Sequence, residues 1–435
     1  MLPYENPYKI RSLKEINYNY DYPMDLTVAP TSPLHDRIVR EVVDRAKVSH
    51  DIMSTRHSGW REVDELLTGF IRADKEELAV KKHDSRRPIS IVIPETYATL
   101  EILLTYMTTA LLEHPILRYE GVGPEDIIGA ILLEKVVEHQ LFYTKASLDL
   151  HTAFRCGFAY GLGPVAVQWK QDKVLSTVYE EEPTMVDMLL GRSPKKTRRE
   201  VEEVVFEGNQ FFAIDPYDYL PDPYVPAHKT QEGEFLGWVR TTNLSTLLKE
   251  EVGNEGTFNV RYLRHIGNCT SRFKVNSTGR NYKSGMSTDR QTTDILRAVD
   301  VVCMYIEVIP KEWELGTSEY PETWYFEVAG DSVVIAARPL GLNHRKKPIA
   351  VFTPDFDGFS VSPISKLEML GGMQTTLNYL FNSHIINVRK AVNDMLIVDP
   401  SIVNMNDIYD PDKAGKVIRL NRASWGRGLD HAVKQ

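Results

Sequence analysis

The sequence predicts an α+β protein, and three observations lead to that class. Residues 31–160 carry apolar side chains at helical spacing, whereas residues 161–360 contain runs in which apolar and polar residues alternate, as they do in β-strands. The third observation is a segment at 369–388 that has helical spacing but no Asp, Glu, Lys or Arg, in a chain that is 26% charged. A length of 435 residues allows two or three domains, or one elaborated domain with a large core.

Composition narrows the class of protein. A net charge of −9 argues against a protein that coats nucleic acid, because such a protein needs a basic surface to displace counterions. Cys156, Cys269 and Cys303 are odd in number and widely spaced, which favours a reducing compartment over a disulfide framework. The N-terminus lacks the apolar core of a signal peptide, and no segment is long and apolar enough to span a bilayer. We therefore expect an intracellular soluble protein.

The helical part begins after an arm at residues 1–30 that is rich in Tyr, Asn and Pro. Ser32 is a good N-cap residue and Pro33 suits the first helical position, so a helix is predicted from there. Its inner face is predicted to contain Ile38, Val42, Ala46, Ser49 and Met53, and the pattern resumes after Gly59. Three further helices are predicted in "ETYATLEILLTYMTTALL", in "PEDIIGAILLEKVVEHQLFYT" and at about 147–158.

The β-rich part follows directly. Strands are predicted in "GPVAVQWK", "KVLSTVYEE", "EVVFEGNQFFAID", "DVVCMYIEVI", "WYFEVAGDSVVIAAR" and "PIAVFTP". Gly330-Asp331 separates two alternating runs and indicates a hairpin, so the sheet is expected to be antiparallel. Two polar segments, 191–203 and 267–294, are predicted to be exposed loops.

A long helix is predicted at about 363–394, opened by the cap-plus-proline pair Ser362-Pro363 and roughly 45–50 Å long. Its predicted inner positions are Ile364, Leu367, Leu370, Met373, Leu377, Leu380, Phe381, Ile385, Val388 and Val392. "MLIVDPSIV" then predicts a strand, and the remaining chain is short, glycine-punctuated and basic.

Motifs for catalysis are few. There is no phosphate-binding loop, no dinucleotide fingerprint and no H-E-x-x-H pair. Asp215, Asp218 and Asp222 can in principle ligate a hard cation, but three prolines in the same stretch favour turns in which carboxylates cap backbone N–H groups. His384 lies among apolar residues, which favours a core or interface position over catalysis. The basic segments "SPKKTRR" and 267–294 can touch a phosphate backbone, although solvated loops are the simpler interpretation.

The uncharged helix at 369–388 leaves three interpretations open. Neutral amides and hydroxyls suit helices that pack side by side between identical subunits, because no charge is desolvated there. They also suit a wall along which a polyanion slides, where lysines would bind phosphates too tightly. The third interpretation is an ordinary long helix buried between domains.

The order of these elements resembles the portal (head-to-tail connector) proteins of tailed bacteriophages. The resemblance covers most of the chain and depends on the segments "DLTVAPTSPLHDRI", "RCGFAYGLGPVAVQWK", "FFAIDPYDYLPDP" and "PISKLEMLGGMQTTLNYLFNSHIINVRKAVNDMLIVDPS". The resemblance implies a portal-like fold with a helical and β-rich wing domain, a long stem helix and a small α/β clip. The implied boundaries are an arm at 1–30, a wing at 31–360 (helical 31–160, β-rich 161–360), a stem helix at 361–394 and a clip at 395–435.

The resemblance further implies a structural protein without enzymatic activity, metal or cofactor. A ring of usually twelve subunits would sit at one capsid vertex and conduct double-stranded DNA during packaging and ejection. Its implied partners are the major capsid protein, the terminase motor and head-tail adaptor or tail proteins, with no membrane involved. It would be assembled in the host cytoplasm and found in the virion.

The residues that the resemblance assigns to these contacts fall into three groups. Arg389, Lys390 and Asn393 are candidates for the DNA channel. Gln374, Asn378, Asn382 and Asn387 are candidates for packing between stem helices. Lys413, Lys416, Arg419, Arg422 and Arg427 are candidates for motor or adaptor contacts in the clip, or else form a solvated basic hairpin.

The sequence departs from the family pattern after the stem. Only about forty residues follow it, and we expect the family's return stem helix, channel loop and crown to be missing from this stretch. Two alternative functions stay open. One is a minor capsid or head-tail adaptor protein without a channel, and the other is a metal-dependent phosphodiesterase that uses Asp215, Asp218 and Asp222.

Overall fold

The computed structural model describes residues 13, 16, 18–69, 91–182, 195–253, 256–266, 269–275, 298–392, 397–398 and 433–434. The chain forms two compact units, one of Met1–Phe70 with Pro94–Gly372 and one of Ile71–Ile93 with Met373–Gln435. Helices and antiparallel sheets occur together in the larger unit, so the predicted α+β class is confirmed. Among the described helices, none has the length and hydropathy of a membrane-spanning segment.

Helix α1 (Pro33–Thr68) begins as predicted. The Ser32 hydroxyl oxygen accepts a hydrogen bond from the backbone N–H of Leu34 (3.2 Å), and Pro33 occupies the first turn. All five predicted inner positions, Ile38, Val42, Ala46, Ser49 and Met53, are buried. The pattern that resumes after Gly59 belongs to this same helix, which ends at Gly69 in the left-handed conformation (φ 64°).

The three other predicted helices of this part are present as α2 (Glu95–Leu111), α3 (Ile127–Tyr143) and α4 (Ala146–Tyr160). Helix α4 ends at Gly161, whose φ of 82° lies in the left-handed region. A side chain at Gly161 would also collide with the carbonyl oxygen of Pro363. Glycine is therefore needed at this turn for two separate reasons.

Strands β1 (Gly163–Glu182) and β2 (Lys195–Ala213) form a long antiparallel ribbon. Within the described residues, Gly163–Ala166 of β1 also pair with β8 (Ile349–Phe352), and the backbone N–H of Val167 donates to the carbonyl oxygen of Pro348 (2.9 Å). The prediction of an exposed loop at 191–203 is wrong for residues 195–203, which belong to β2. Seven of these nine residues are charged and the segment lacks apolar alternation, so backbone pairing to β1 holds it in the strand without a signal in the side chains.

The main sheet has five antiparallel strands in the order β3 (Tyr219–Pro221), β4 (Phe235–Asn243), β5 (Ala298–Val308), β6 (Glu322–Ala329) and β7 (Val333–Pro339). The predicted hairpin between β6 and β7 is confirmed, with φ of 54° at Gly330 and 53° at Asp331. Helix α5 (Leu244–Gly253) follows β4, and the short α6 (Pro310–Trp313) follows β5. Short 3₁₀ segments occur at Pro23–Asp25, Pro216–Asp218, Ala227–Glu232 and Val260–His265.

The core has apolar side chains on both faces of the five-stranded sheet. Along β5, Val302, Met304 and Ile306 pack in the cluster that contains the α1 residues, whereas Val301 and Cys303 pack in a cluster on the other face. A third cluster surrounds Trp60, Tyr160 and Tyr217. The sheet is thus buried on both faces, and α1 is part of its core.

Helix α7 (Lys366–Val392) is the predicted long helix, but it begins three residues after Ser362-Pro363. Ser365 and Glu368 form a capping box instead. The Ser365 hydroxyl oxygen accepts from the backbone N–H of Glu368 (3.1 Å), while the Glu368 carboxylate accepts from the backbone N–H of Ser365 (3.2 Å). After the helix, β9 (Ile397–Val398) pairs antiparallel with β10 (Val433–Lys434).

Candidate assembly surface on the long helix

The first turns of α7 are fixed within the larger unit. The Glu368 carboxylate forms an ion pair with Arg56 of α1 (2.6 Å), and the Ser365 hydroxyl donates to the carbonyl oxygen of Ala159 (2.8 Å). A side chain at Gly371 would lie 2.8 Å from Leu66, so the helix and α1 approach closely here. The start of the helix is thus held by a charge pair, a cap and the close contact of Gly371 with the Leu66 side chain.

The later turns, in the smaller unit, present an amide face made of Gln374, Asn378 and Asn382. The Asn378 side-chain oxygen accepts from the backbone N–H of Ile93 (2.9 Å). Asn382 accepts from the backbone N–H of Ile91 and donates to its carbonyl oxygen, both at 3.1 Å. Gln374 is only 3% exposed. Two of the predicted subunit-packing residues therefore bind the backbone of their own chain.

A different arc of the helix carries the apolar stripe, made of Met373, Leu377, Leu380, Phe381 and Val388. These side chains are 71%, 38%, 59%, 40% and 46% exposed, respectively. At about 100° per residue they fall within an arc of roughly 100°. The prediction that these five residues form an inner face is wrong for the single chain, whereas Leu367, at an earlier position, is fully buried as predicted.

The remaining arc is the hydroxyl face, made of Thr375, Thr376, Tyr379 and Ser383. Thr375, Thr376 and Tyr379 are exposed, and Tyr379 retains 72% of its accessible surface. Gly372 lies on the same arc, and nothing stands within 4 Å of where its side chain would be. His384 lies within the arc of the apolar stripe and is exposed. Between Met373 and Val388 the helix thus presents two uncharged faces, one apolar and one rich in hydroxyls.

The other predicted contact residues give less information. Asn387 is exposed on α7, and Arg389 and Lys390 lie in its last turns with side chains outside the described set. Asn393 lies outside the described residues, as do the predicted clip residues Lys413, Lys416, Arg419, Arg422 and Arg427.

The three aspartates of the 214–224 stretch have separate partners. Asp215 caps the 3₁₀ turn by accepting from the backbone N–H of Tyr217 (3.2 Å), and Asp222 accepts from the backbone N–H groups of Tyr224 (3.0 Å) and Glu234 (2.8 Å). Asp218 forms an ion pair with Lys274. Burial raises the pKa of Asp218 to about 6, and the nearby Lys274 ammonium opposes that shift. Within the described residues no group of side chains is arranged to hold a metal ion.

The sequence analysis selected Gln374, Asn378 and Asn382 for packing, but it did not predict segment 91–93 as the partner of Asn378 and Asn382. The available signal was the β-branched run Ile91, Val92 and Ile93 before Pro94, which favours an extended backbone with N–H and C=O groups to satisfy. No protein-family model matches this chain, and no curated protein matches it.

Proposed function

We propose that the chain is a subunit of a phage portal, a ring-shaped channel at one capsid vertex through which double-stranded DNA is packaged and ejected. The observation that carries the proposal is the exposed apolar stripe, which lies beside an uncharged hydroxyl face on one 27-residue helix. Exposed apolar side chains at helical spacing favour a partner helix. On the third arc, Asn378 and Asn382 bind residues 91–93, so we assign the contacts between copies to the exposed apolar stripe and the exposed hydroxyl face.

The angle between those two arcs supports a ring of copies. At about 100° per residue, the centres of the apolar stripe and the hydroxyl face lie about 140° apart. In a ring of twelve, each subunit meets its two neighbours at about 150°, whereas an open straight row requires about 180°. If the stripe of each copy packs on the hydroxyl face of the next, the contacts are heterologous and close on themselves.

The arc between the two contacts then faces the centre of the ring. Asn387 lies on that arc, and residues 369–388 contain no Asp, Glu, Lys or Arg. Neutral side chains let DNA pass without being held, and the net charge of −9 fits a conduit better than a DNA-binding surface. In this account the ring supplies the channel, and a separate terminase motor, the capsid protein and tail adaptors dock on it.

The proposal is tested by placing carboxylates in the apolar stripe. Leu377 and Leu380 are 38% and 59% exposed, so Leu377→Asp/Leu380→Asp leaves the fold intact. The exposed parts of Leu377 and Leu380 together amount to about one leucine side chain. At each contact between copies, the double substitution therefore removes ~1.5–3 kcal/mol of association free energy from apolar burial, and it adds the cost of desolvating two carboxylates. Val252→Asp is the matched control, because Val252 is 85% exposed and lies on α5.

The assay is native mass spectrometry of the three purified chains, with circular dichroism to check their folding. We expect closed rings from the unmodified chain and the Val252→Asp control, and folded monomers from the double variant. Rings from the double variant would refute the role of the stripe. A monomeric unmodified chain would refute the ring, and a folded chain that binds capsid or tail proteins as a monomer would be an adaptor instead.

A further inference from the structure

We infer that a cavity beside the end of α3 binds a small organic anion, namely a carboxylate attached to an aliphatic body. The cavity has a volume of about 530 Å³, and it is lined by the last two turns of α3, by Lys145, by the first turn of α4 and by the segment 114–116. Binding cavities for small molecules usually have volumes of roughly 300–1,000 Å³. All the lining residues lie in the larger unit, and the inference goes beyond the proposed function because it does not depend on ring formation.

Apolar and aromatic side chains make up half of the lining. They are Ile116, Leu141, Phe142, Tyr143 and Leu148. Leu141 belongs to a buried cluster against which Ile116 packs, so this part of the lining is fixed. Phe142 and Leu148 are 76% and 63% exposed. A ligand with an aliphatic body removes part of that surface from water, which favours its binding.

Lys145 brings a positive charge to the cavity. It lies between α3 and α4 with a φ of 56°, in the left-handed region, where a side chain strains the backbone and glycine is the usual residue. No carboxylate among the described residues forms an ion pair with its ammonium group. Residues held in such a conformation cluster at ligand clamps. A bound anion gives the lysine a partner, and that contact offsets the strain.

The acidic residues near Lys145 are engaged elsewhere. Glu138 is the acidic residue of the lining, and its carboxylate oxygen is bound by the Lys135 ammonium at 2.8 Å. Asp149, in the first turn of α4, is hydrogen-bonded to the backbone of Ala213. The pair of Glu138 and Lys135 has no net charge. The ammonium of Lys145 is therefore the charge that a ligand in the cavity meets without compensation.

The remaining polar side chains suit the head group of a carboxylate. His114 and His139 each offer a ring N–H as a hydrogen-bond donor, and Ser147 offers a hydroxyl. A carboxylate presents two oxygens that accept such bonds, and one cation balances its single charge. A dianion such as a phosphate monoester needs a second cation, and a cationic ligand is repelled by Lys145. The lining thus favours a monoanion with an apolar body.

The test measures the binding of octanoate to the full chain by isothermal titration calorimetry, with octanol as the uncharged probe of the same length. Lys145→Gly removes the cation and relieves the backbone, so the affinity for octanoate should fall at least tenfold while the melting temperature stays the same or rises. Leu148→Asp places a carboxylate in the lining, in a first helical turn that tolerates acidic residues, and should weaken binding similarly. Lys249→Ala, at an exposed position of α5, is the matched control.

The outcomes are distinct from those of the ring experiment, because octanoate binding is measured on the chain whether or not it assembles. Binding that is lost in Lys145→Gly but retained in Lys145→Arg and in the Lys249→Ala control supports the inference. No binding at about 1 mM octanoate overturns it, as does equal affinity for octanoate and octanol.

The C-terminus of a protein carries the same head group as octanoate. An acetylated peptide that ends in leucine with a free carboxylate tests that source. If the peptide binds more tightly than octanoate, the cavity receives the end of a protein chain, and the small-molecule ligand is overturned.

Discussion

The amide face of α7 makes a prediction about two backbone N–H groups. Ile93 donates to Asn378, and Ile91 donates to Asn382, which also returns a hydrogen bond to the Ile91 carbonyl oxygen. These side chains hold residues 91–93 against the helix much as a neighbouring strand would. Replacing either asparagine by alanine should release the segment locally while the helix itself remains.

The size of the effect follows from the number of hydrogen bonds lost. A neutral hydrogen bond contributes about 1 kcal/mol net, which corresponds to roughly a fivefold change in an opening equilibrium. Asn378→Ala loses one bond, so exchange of the Ile93 amide should rise about fivefold. Asn382→Ala loses two, so exchange of the Ile91 amide should rise roughly thirtyfold.

Hydrogen–deuterium exchange measured by mass spectrometry on peptides covering residues 91–94 is the suitable assay. Asn382→Asp is an informative intermediate, because it keeps the acceptor oxygen for the Ile91 N–H and loses the donor to the Ile91 carbonyl. In Asn382→Asp, exchange of the Ile91 amide should rise by more than exchange of the Ile93 amide rises in Asn378→Ala, because the new carboxylate oxygen also repels the Ile91 carbonyl oxygen. Asn387→Ala serves as the control, since Asn387 is exposed on the same helix.

The reasoning fails if the three substitutions leave exchange at residues 91–93 unchanged. It also fails if protection there appears only in the assembled form, because the amides would then act between subunits, as the family resemblance implies, and not within one chain.

Three further predictions concern the larger unit. Burial among Trp60, Tyr217 and His50 lowers the pKa of His57 from 6.5 to about 4. As the pH falls, His57 is therefore protonated in the unfolded chain before it is protonated in the folded chain. The contribution of neutral His57 to the free energy of unfolding is complete above pH 6.5 and is lost as the pH falls towards 4. His57→Leu should therefore reduce the loss of unfolding free energy between pH 7.5 and pH 5 by about 2 kcal/mol in urea titrations, and an unchanged pH dependence would contradict the assignment. Tyr217→Phe removes the hydroxyl that donates to the buried Asp64 carboxylate (2.9 Å) and should cost about 1.5–3 kcal/mol in the same titration, whereas Tyr224→Phe, at an 84% exposed position, should cost almost nothing. Gly161→Ala combines a left-handed backbone with a collision at Pro363 and should lower stability by about 2–5 kcal/mol; a loss as small as that of Gly253→Ala, where a side chain meets open space, would contradict the turn geometry.

Local signals predicted most helices and the main sheet. Ser32-Pro33 began α1 as expected, and Gly330-Asp331 formed the expected hairpin, because capping and positive φ depend on a few adjacent residues. The start of α7 was misplaced because the capping box of Ser365 and Glu368 satisfies both N–H groups reciprocally, whereas Ser362-Pro363 offers only a cap-plus-proline pair.

The exposed stripe shows what periodicity cannot decide. Apolar spacing identified Met373, Leu377 and Leu380 correctly as one stripe, but it carries no information about what covers that stripe. Within the chain, the helix turns its amides inward because residues 91–93 have backbone groups to satisfy, and that partner lies far away in the sequence. The strand at 195–203 was missed for a similar reason, since its hydrogen bonds go to β1 and its charged residues Arg198, Glu200 and Glu203 are exposed.

The central claim is that copies of this chain close into a ring through α7. It is tested most directly by single-particle imaging of the purified chain, with the number of copies counted by native mass spectrometry. The account predicts closed rings of about twelve copies that have cyclic symmetry and a central hole. A monomer at all accessible concentrations, or an open filament without closure, would contradict it.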